Sequence, residues 1–487
     1  MSSARDEGFD RFEGFEKFLD EWSRRDFLRR SGGAAALTLF MAGGLEAVLA
    51  ACGNTPGAQN QNVKKGGHVV EADFSDPTNF NPIFVSDTSS QVPSGMMFSG
   101  LLDADADGKK LPAIAKSVPK PSSDGLTYKF DLRQDAKWSD GHPITADDVV
   151  FTYALMAGPT YNYKAINSRY WPDLEIYLDS VTAVDKYTVV VKTKTPYAPF
   201  LDSYTFAPLP KHILDPIAQK SPGDFKKADF NFGPTVVSGP MTFSKWDKTQ
   251  QVVLTANDKH FLGRPNLDSW VIKNVGSQDA GVNQLKTGEV DVASVPSALW
   301  EDLATSADKI NRVSFVQASY DYFGFNMDPS NPKRPASGKI FSDKAVREAL
   351  YYAVDRQKLA DKVYFKQAVV ATSVEPKTSW ALTDQVRKYP FDAKKAAEML
   401  DGAGWKPGAD GIRTKDGVRF SFELITNVGN KARESTIQVL SESWRQIGVE
   451  AKAKPIQFTE YVKTSTTRDF DMVMGGISAG VDPDLSQ

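Results

Sequence analysis

Three features of this 487-residue chain could carry chemistry: a single cysteine, a serine bracketed by glycines, and four histidines. The cysteine, Cys52, ends the run "VLAAC" directly after an apolar stretch. A core thiol would sit inside a periodic element, and a nucleophilic thiol needs a basic partner to lower its pKa. Cys52 has neither context, which leaves a third use for a thiol, a handle for covalent attachment. The serine, Ser478, stands in "GISAG" (476–480), the G-x-S-x-G spacing of a nucleophile elbow. In that arrangement the partner histidine follows the serine. Here His68, His142, His212 and His260 all precede it, and nine residues remain after it. The histidines lie at least 48 residues apart, so no pair has H-E-x-x-H spacing. No local metal motif is present, and no cofactor is expected.

Composition narrows the classes further. Aromatic residues make up 11% and charged residues 24%, the balance of a globular chain long enough for two or three domains. One cysteine excludes an internal disulfide framework. Residues 1–51 hold seven Lys/Arg and nine Asp/Glu, leaving 51 against 52 in the rest, a net of −1. A body so close to neutral has no electrostatic footprint for nucleic acid.

The elements around Cys52 define an address. "SRRDFLRR" (23–30) is basic, and residues 31–51 contain no Lys or Arg and one acid, Glu46. A basic cluster, an apolar run and small residues before a processing point make an export signal. "SRRDFL" resembles the twin-arginine signature, with Arg24 and Arg25 as the pair and Phe27 and Leu28 after them. "LAAC" (Leu49 to Cys52) resembles a lipobox, in which a lipid alkylates the thiol and the chain is cut just before it. The alternative is a permanent transmembrane helix, for which the run is long enough. Glu46, two Gly-Gly pairs and modest hydrophobicity count against that. Residues 1–51 are therefore read as the signal and residues 52–65, polar and rich in Gly, Asn and Gln, as a flexible tether. The body is expected at the outer face of the cytoplasmic membrane.

Periodicity supplies the scaffold. In "DGLTYKFDLR" (124–133), Leu126, Tyr128, Phe130 and Leu132 alternate with polar residues behind an Asp-Gly turn, the pattern of a half-buried strand. Thr145 and Asp148 have capping-box spacing, which predicts a helix from about Ala146 to Met156. Residues 239–256 read as two strands joined by a polar turn at 247–250. Residues 279–295 read as a helix stopped by Gly288, then a strand. Residues 342–365 are predicted as one helix with Ser342 as its cap, and 392–404 as another with a glycine stop. Residues 432–456 give a helix, a stop at Gly448 and an alternating strand. Strands and helices mix without an internal repeat, so the fold class is α/β or α+β.

These landmarks resemble the bacterial extracellular solute-binding proteins of family 5, receptors of oligopeptide, dipeptide and nickel ABC importers. The block "DGLTYKFDLRQDAKWSDGHPITADDVVFTY" (124–153) carries most of the resemblance. "SGPMTFSKW" followed by "NDKHFLGRPNLD", then "LKTGEVDV", then "FSDKAVREALYYAVDRQKL" add to it in order. The resemblance implies an α/β, two-lobed periplasmic-binding-protein-like fold of class II with an extra subdomain. The first lobe would span 66–318, with its base at 66–103 and 207–318 and the insert at 104–206; the second would span 319–487. It also implies a monomeric, non-enzymatic receptor that closes on a peptide or other small ligand and docks on a membrane permease.

By the same resemblance, Ser86, Asp87 and Thr88 in "NPIFVSDTSS" face ligand from the first lobe. Tyr320 and Tyr322 line the cleft wall or fill the sheet core. Gly476, Ile477, Ser478 and Asp482 lie at the end of a strand facing the ligand. In peptide receptors that strand ends in Gly-Trp, and an aspartate soon after it pairs with the peptide's α-amino group. Here Ile477 follows Gly476, and Ala479 falls at the aspartate's place. A buried ammonium needs a carboxylate partner. Either Asp482 or Asp87 supplies it, or the ligand is a sugar or another neutral solute. The family's second lobe runs past Gln487, so the chain reads as truncated. Two rival functions remain: an exported lipid-anchored serine hydrolase using Ser478, and an oligosaccharide-binding or sensing receptor of the same fold.

Overall fold

The computed structural model describes residues 65–105, 108–157, 172–203, 205–303, 310–314, 318–377, 379 and 381–478. Arg24, Arg25, Cys52 and the tether lie outside the described residues, as do Ala479 and Asp482.

The chain enters through β1 (His68–Asp73), then helix α1 (Thr88–Met97). Three strands follow, β2 (Thr127–Asp131), β3 (Leu178–Asp185) and β4 (Thr188–Thr193), with helix α2 (Ala146–Ala157) between the first two. They form a separate antiparallel sheet in the order β2-β4-β3. Helix α3 (Lys211–Ala218) leads back to β5 (Met241–Asp247), β6 (Gln251–Ala256) and β7 (Ser269–Asn274), then helix α4 (Gln278–Thr287) and the short β8 (Val292–Ala293). These join β1 in a five-stranded sheet of order β8-β1-β7-β6-β5. Within it β1 is parallel to both β7 and β8. One apolar core serves both sheets: Phe130, Trp138 and Val189 belong to the same buried cluster as Leu254 and Trp270.

A second sheet, of order β9-β12-β10-β11, is built from β9 (Ser319–Phe325), β10 (Ser421–Asn427), β11 (Glu450–Ile456) and β12 (Met472–Ser478). Helices α5 (Lys344–Tyr352), α6 (Arg356–Lys362), α7 (Ala393–Gly402) and α8 (Lys431–Arg445) lie in its connections, with α9 (Phe458–Thr466) before β12. Its core is separate, centred on Phe341, Phe420, Leu424 and Trp444. The Trp444 indole N–H donates to the Leu350 carbonyl at 2.9 Å, so the one polar atom of a fully buried side chain is satisfied. The first two sheets share one core and this sheet has another, which makes two lobes.

Local chemistry explains the elements. Asp148 fixes the start of α2 by accepting from the Thr145 N–H at 2.8 Å, and it holds α3 by accepting from the Lys211 N–H at 3.0 Å. Gly288 ends α4 at φ 77° and Gly448 follows α8 at φ 82°, both in the left-handed region that favours glycine. The single helix predicted for 342–365 is two helices. Asp343, not Ser342, caps α5 by accepting from the Ala345 N–H, and Asp355 restarts the chain as α6 by accepting from the Lys358 N–H at 2.9 Å. An aspartate that bonds its own following backbone competes with helix continuation, so periodic apolar residues did not suffice to join the two.

Candidate ligand-binding cleft

Because β1, β7 and β8 run parallel, the residues just beyond their C-terminal ends gather at one edge of the first sheet. In open α/β sheets that edge is where ligands bind. Here Phe74 follows β1, Val275 and Ser277 follow β7, and Ser294 follows β8. All four line a cavity of about 60 Å³ together with Glu71, Asp73, Thr88 and Gln278. That volume holds a few waters or one small polar head group, not a whole peptide. Gly281 lets α4 approach: a Cβ there would sit 3.2 Å from the Ala72 Cβ.

Glu71 and Asp73 are two residues apart on one strand and so share a face. The Trp270 indole N–H donates to Glu71 Oε2 at 3.0 Å. Burial, then the charge of Asp73, pushes the Glu71 carboxyl up to about 7. Burial pushes Asp73 up to about 6, although the Phe74 N–H donates to it at 2.6 Å and pulls the other way. No lysine or arginine is among the groups acting on either acid. The cavity is thus an acidic niche whose own residues supply no cation.

The same rim touches the other lobe. The Phe74 ring meets Phe458 of α9 edge-on, with centroids 5.3 Å apart. The Gln278 N–H donates to the Gly429 carbonyl at 3.2 Å. Phe74 also packs against a small apolar cluster of Ile425, Phe458, Tyr461 and Val473, which belongs to the second lobe.

On that lobe β9 and β12 pair antiparallel, with Tyr320 opposite Ile477, Asp321 opposite Gly476 and Tyr322 opposite Gly475. Side-chain ends lie close over the two glycines. A Cβ at Gly475 would collide with the Tyr461 hydroxyl; one at Gly476 would collide with the Arg433 guanidinium and the Asp321 carboxylate. Arg433 donates from Nε and Nη2 to Asp321 Oδ1 at 3.1 and 3.0 Å, and from Nη1 to Asn427 at 3.2 Å. The Tyr364 hydroxyl donates to Asp321 Oδ2 at 2.7 Å. Burial, and then Tyr322, pushes the Tyr461 phenol up to about 12.

The family model for bacterial extracellular solute-binding proteins, family 5 (middle), matches residues 109–487. The oligopeptide-binding protein AppA of Bacillus subtilis is 33% identical over 475 residues, covering 94% of this chain and 82% of AppA. The chain belongs to the family 5 solute-binding proteins. As such it is the substrate-binding component of an ABC importer and works outside the cytoplasm. Its fold matches the solved structure of AppA with a nonapeptide (TM-score 0.78, 33% identity, 87% of this chain and 81% of that one). It also matches NikZ of Campylobacter jejuni with Ni(L-His) (TM-score 0.72, 28% identity, 86% and 78%). The dipeptide-binding protein of Escherichia coli is 27% identical over 427 residues, covering 82% of this chain and 74% of that protein.

In this solute-binding protein the expected site residues separate by role. Thr88 is exposed and lines the acidic cavity; Ser86 is half-buried before α1. Asp87, expected at the ligand, is 6% exposed and caps α1. It accepts from the Ser90 N–H at 2.9 Å, the Ser90 hydroxyl at 2.8 Å and the Thr78 hydroxyl at 2.6 Å. Both its oxygens accept bonds that hold the start of α1. Tyr320, Tyr322, Gly476, Ile477 and Ser478 come together on β9 and β12, and Ile477 is 41% exposed. Ser478 is a strand residue paired with Ser319, whereas an elbow serine sits on the sharp turn after its strand. Sequence reasoning did not single out Glu71, Asp73, Asp321, Arg433 or Tyr461, which the fold brings to this junction; the available signal was two acids at i and i+2 in the strand "HVVEAD".

Proposed function

We propose that this protein captures a peptide-like solute and seats its positive end in the Glu71–Asp73 niche, while β9 and β12 hold the chain that follows. The observation that carries the reading is a cavity at the lobe junction whose lining, among the described residues, holds two acids and no basic side chain. A ligand ammonium supplies the missing counter-charge, which converts a costly half-buried pair of acids into a favourable one. Tyr320, Tyr322 and Ile477 offer apolar walls beside the Arg433–Asp321 pair. The 33% identity to a relative named for oligopeptide binding supports the same class. Closure of one lobe on the other rewards a ligand that satisfies both sides at once, and the closed form is the one offered to the permease.

The reading places the protein as a monomeric receptor, not an enzyme. Export by the twin-arginine signal around Arg24 and Arg25, and lipid attachment at Cys52, hold it at the outer face of the cytoplasmic membrane on its tether. A thermal-shift screen of the purified protein tests the ligand class against oligopeptides, oligosaccharides and metal chelates. Oligopeptides are expected to raise the melting temperature, as any ligand of the native state does by mass action. Stabilisation by oligosaccharides with none by peptides overturns the reading and favours the sugar-receptor alternative.

A further inference from the structure

Asp140, His142 and His212 converge on the surface of the first lobe, and one donor atom from each lies within 4.8 Å of the other two. His142 Nδ1 lies 3.0 Å from Asp140 Oδ2, and His212 Nε2 lies 2.8 Å from the same oxygen. The two imidazoles stack with centroids 4.4 Å apart and an interplanar angle of 27°. Two imidazole nitrogens and one carboxylate oxygen form the donor set of borderline divalent metals such as zinc and nickel. The edges also suit such an ion. Tetrahedral ligands about 2.0–2.1 Å from a metal are about 3.3–3.4 Å apart, so the 3.0 and 2.8 Å edges need open by only about half an ångström.

The cluster is held in place from below. Trp138, fully buried, packs under His212 at 6.4 Å between centroids. The turn that carries Asp140 and His142 is closed by the Trp138 N–H donating to the His142 carbonyl at 2.8 Å, with Gly141 at φ 98°. It is tied to the body by Ser139 N–H to the Val237 carbonyl at 2.8 Å, and Val237 N–H to the Ser139 hydroxyl at 3.1 Å. His212 is in the first turn of α3, which Asp148 anchors through the Lys211 N–H. Three donors on two anchored elements, with His142 open to solvent on its outer side, make a site that needs little rearrangement.

We propose that Asp140, His142 and His212 bind a divalent transition-metal ion that clips the 138–142 turn to α3, apart from the ligand cleft. None of the three residues lines the acidic cavity or belongs to β9 or β12. The ion joins segments about 70 positions apart and binds the folded state, so it stabilises the first lobe.

The test uses tag-free, chelator-treated protein titrated with zinc chloride, and separately with nickel chloride, by calorimetry and thermal shift. One saturable site and a raised melting temperature are expected in the wild type. H142Q is expected to lose both; its side chain is 63% exposed, so the fold does not depend on it. H212Q is expected to behave alike, and H68Q, an exposed histidine elsewhere, to bind as the wild type does. Absence of a saturable site in the wild type, or undiminished binding by H142Q and H212Q, overturns the proposal.

Discussion

Replacing Glu71 by Gln removes one charge from the acidic niche and keeps an oxygen to accept from the Trp270 indole. The ordinary carboxyl value is 4.5 and the folded value about 7. The folded state therefore holds its proton through a range in which the unfolded chain has lost it. Stability is highest where both states are protonated, falls as pH rises from about 4.5 to 7, and levels off above. Integrating between pH 5 and pH 8 gives a loss of about 2.5 kcal/mol from Glu71 alone. Asp73, raised from 3.8 to about 6, adds about 1.4 kcal/mol by the same arithmetic. Water entering the cavity screens both, so these are upper figures. Urea unfolding at the two pH values is the assay. The wild type should be markedly less stable at pH 8 than at pH 5, and Glu71→Gln should lose the Glu71 share of that difference, whereas the Asp73 share, set by burial and the nearby Asp87 charge, should remain. Parallel pH profiles for the two proteins would refute the claim that the niche is desolvated and acidic.

Other outcomes follow from single contacts. Gly476→Ala places a methyl against the ends of the Arg433 and Asp321 side chains, which must move apart, and should cost about 1 kcal/mol or less, read as a slightly lowered melting temperature; a raised value contradicts the contact described. Asp355→Ala removes the cap that restarts α6 and should cost about 1 kcal/mol, checked by denaturant midpoint. Cys52→Ser should block lipid attachment and leave the pro-form uncut at this site, read by mass spectrometry and membrane fractionation; normal processing and membrane retention sink the anchor.

What the sequence made legible was local. The strand at 127–131, the helix at 146–157, the hairpin of β5 and β6 and the glycine stops of α4 and α8 all declare themselves through period and turn chemistry within about 20 residues. The helix break at 353–355 was local too, but apolar periodicity ran across it and hid the Asp355 cap. The site was less legible, because its chemistry is created by long-range pairing. Glu71 and Asp73 become partly desolvated neighbours only when β1 is clamped between β7 and β8 and covered by α4. Asp321 and Arg433 meet across 112 positions. Asp87 was ambiguous for a different reason: a Ser-Asp-Thr cluster reads equally as ligand contact or helix cap, and the cap is visible only through the Thr78 and Ser90 bonds. The histidine cluster likewise needed the fold to bring His212 to the Asp140–His142 turn.

The central claim is that a ligand's positive end is held by Glu71 and Asp73. Isothermal titration of one stabilising oligopeptide against its N-acetylated twin measures this directly, in the wild type and in a Glu71→Gln/Asp73→Asn variant. The free-amine peptide should bind the wild type more tightly by about 2 kcal/mol or more, roughly 30-fold, and that preference should vanish in the variant. Equal affinity for the two peptides in the wild type, or a preference that survives in the variant, would contradict the account.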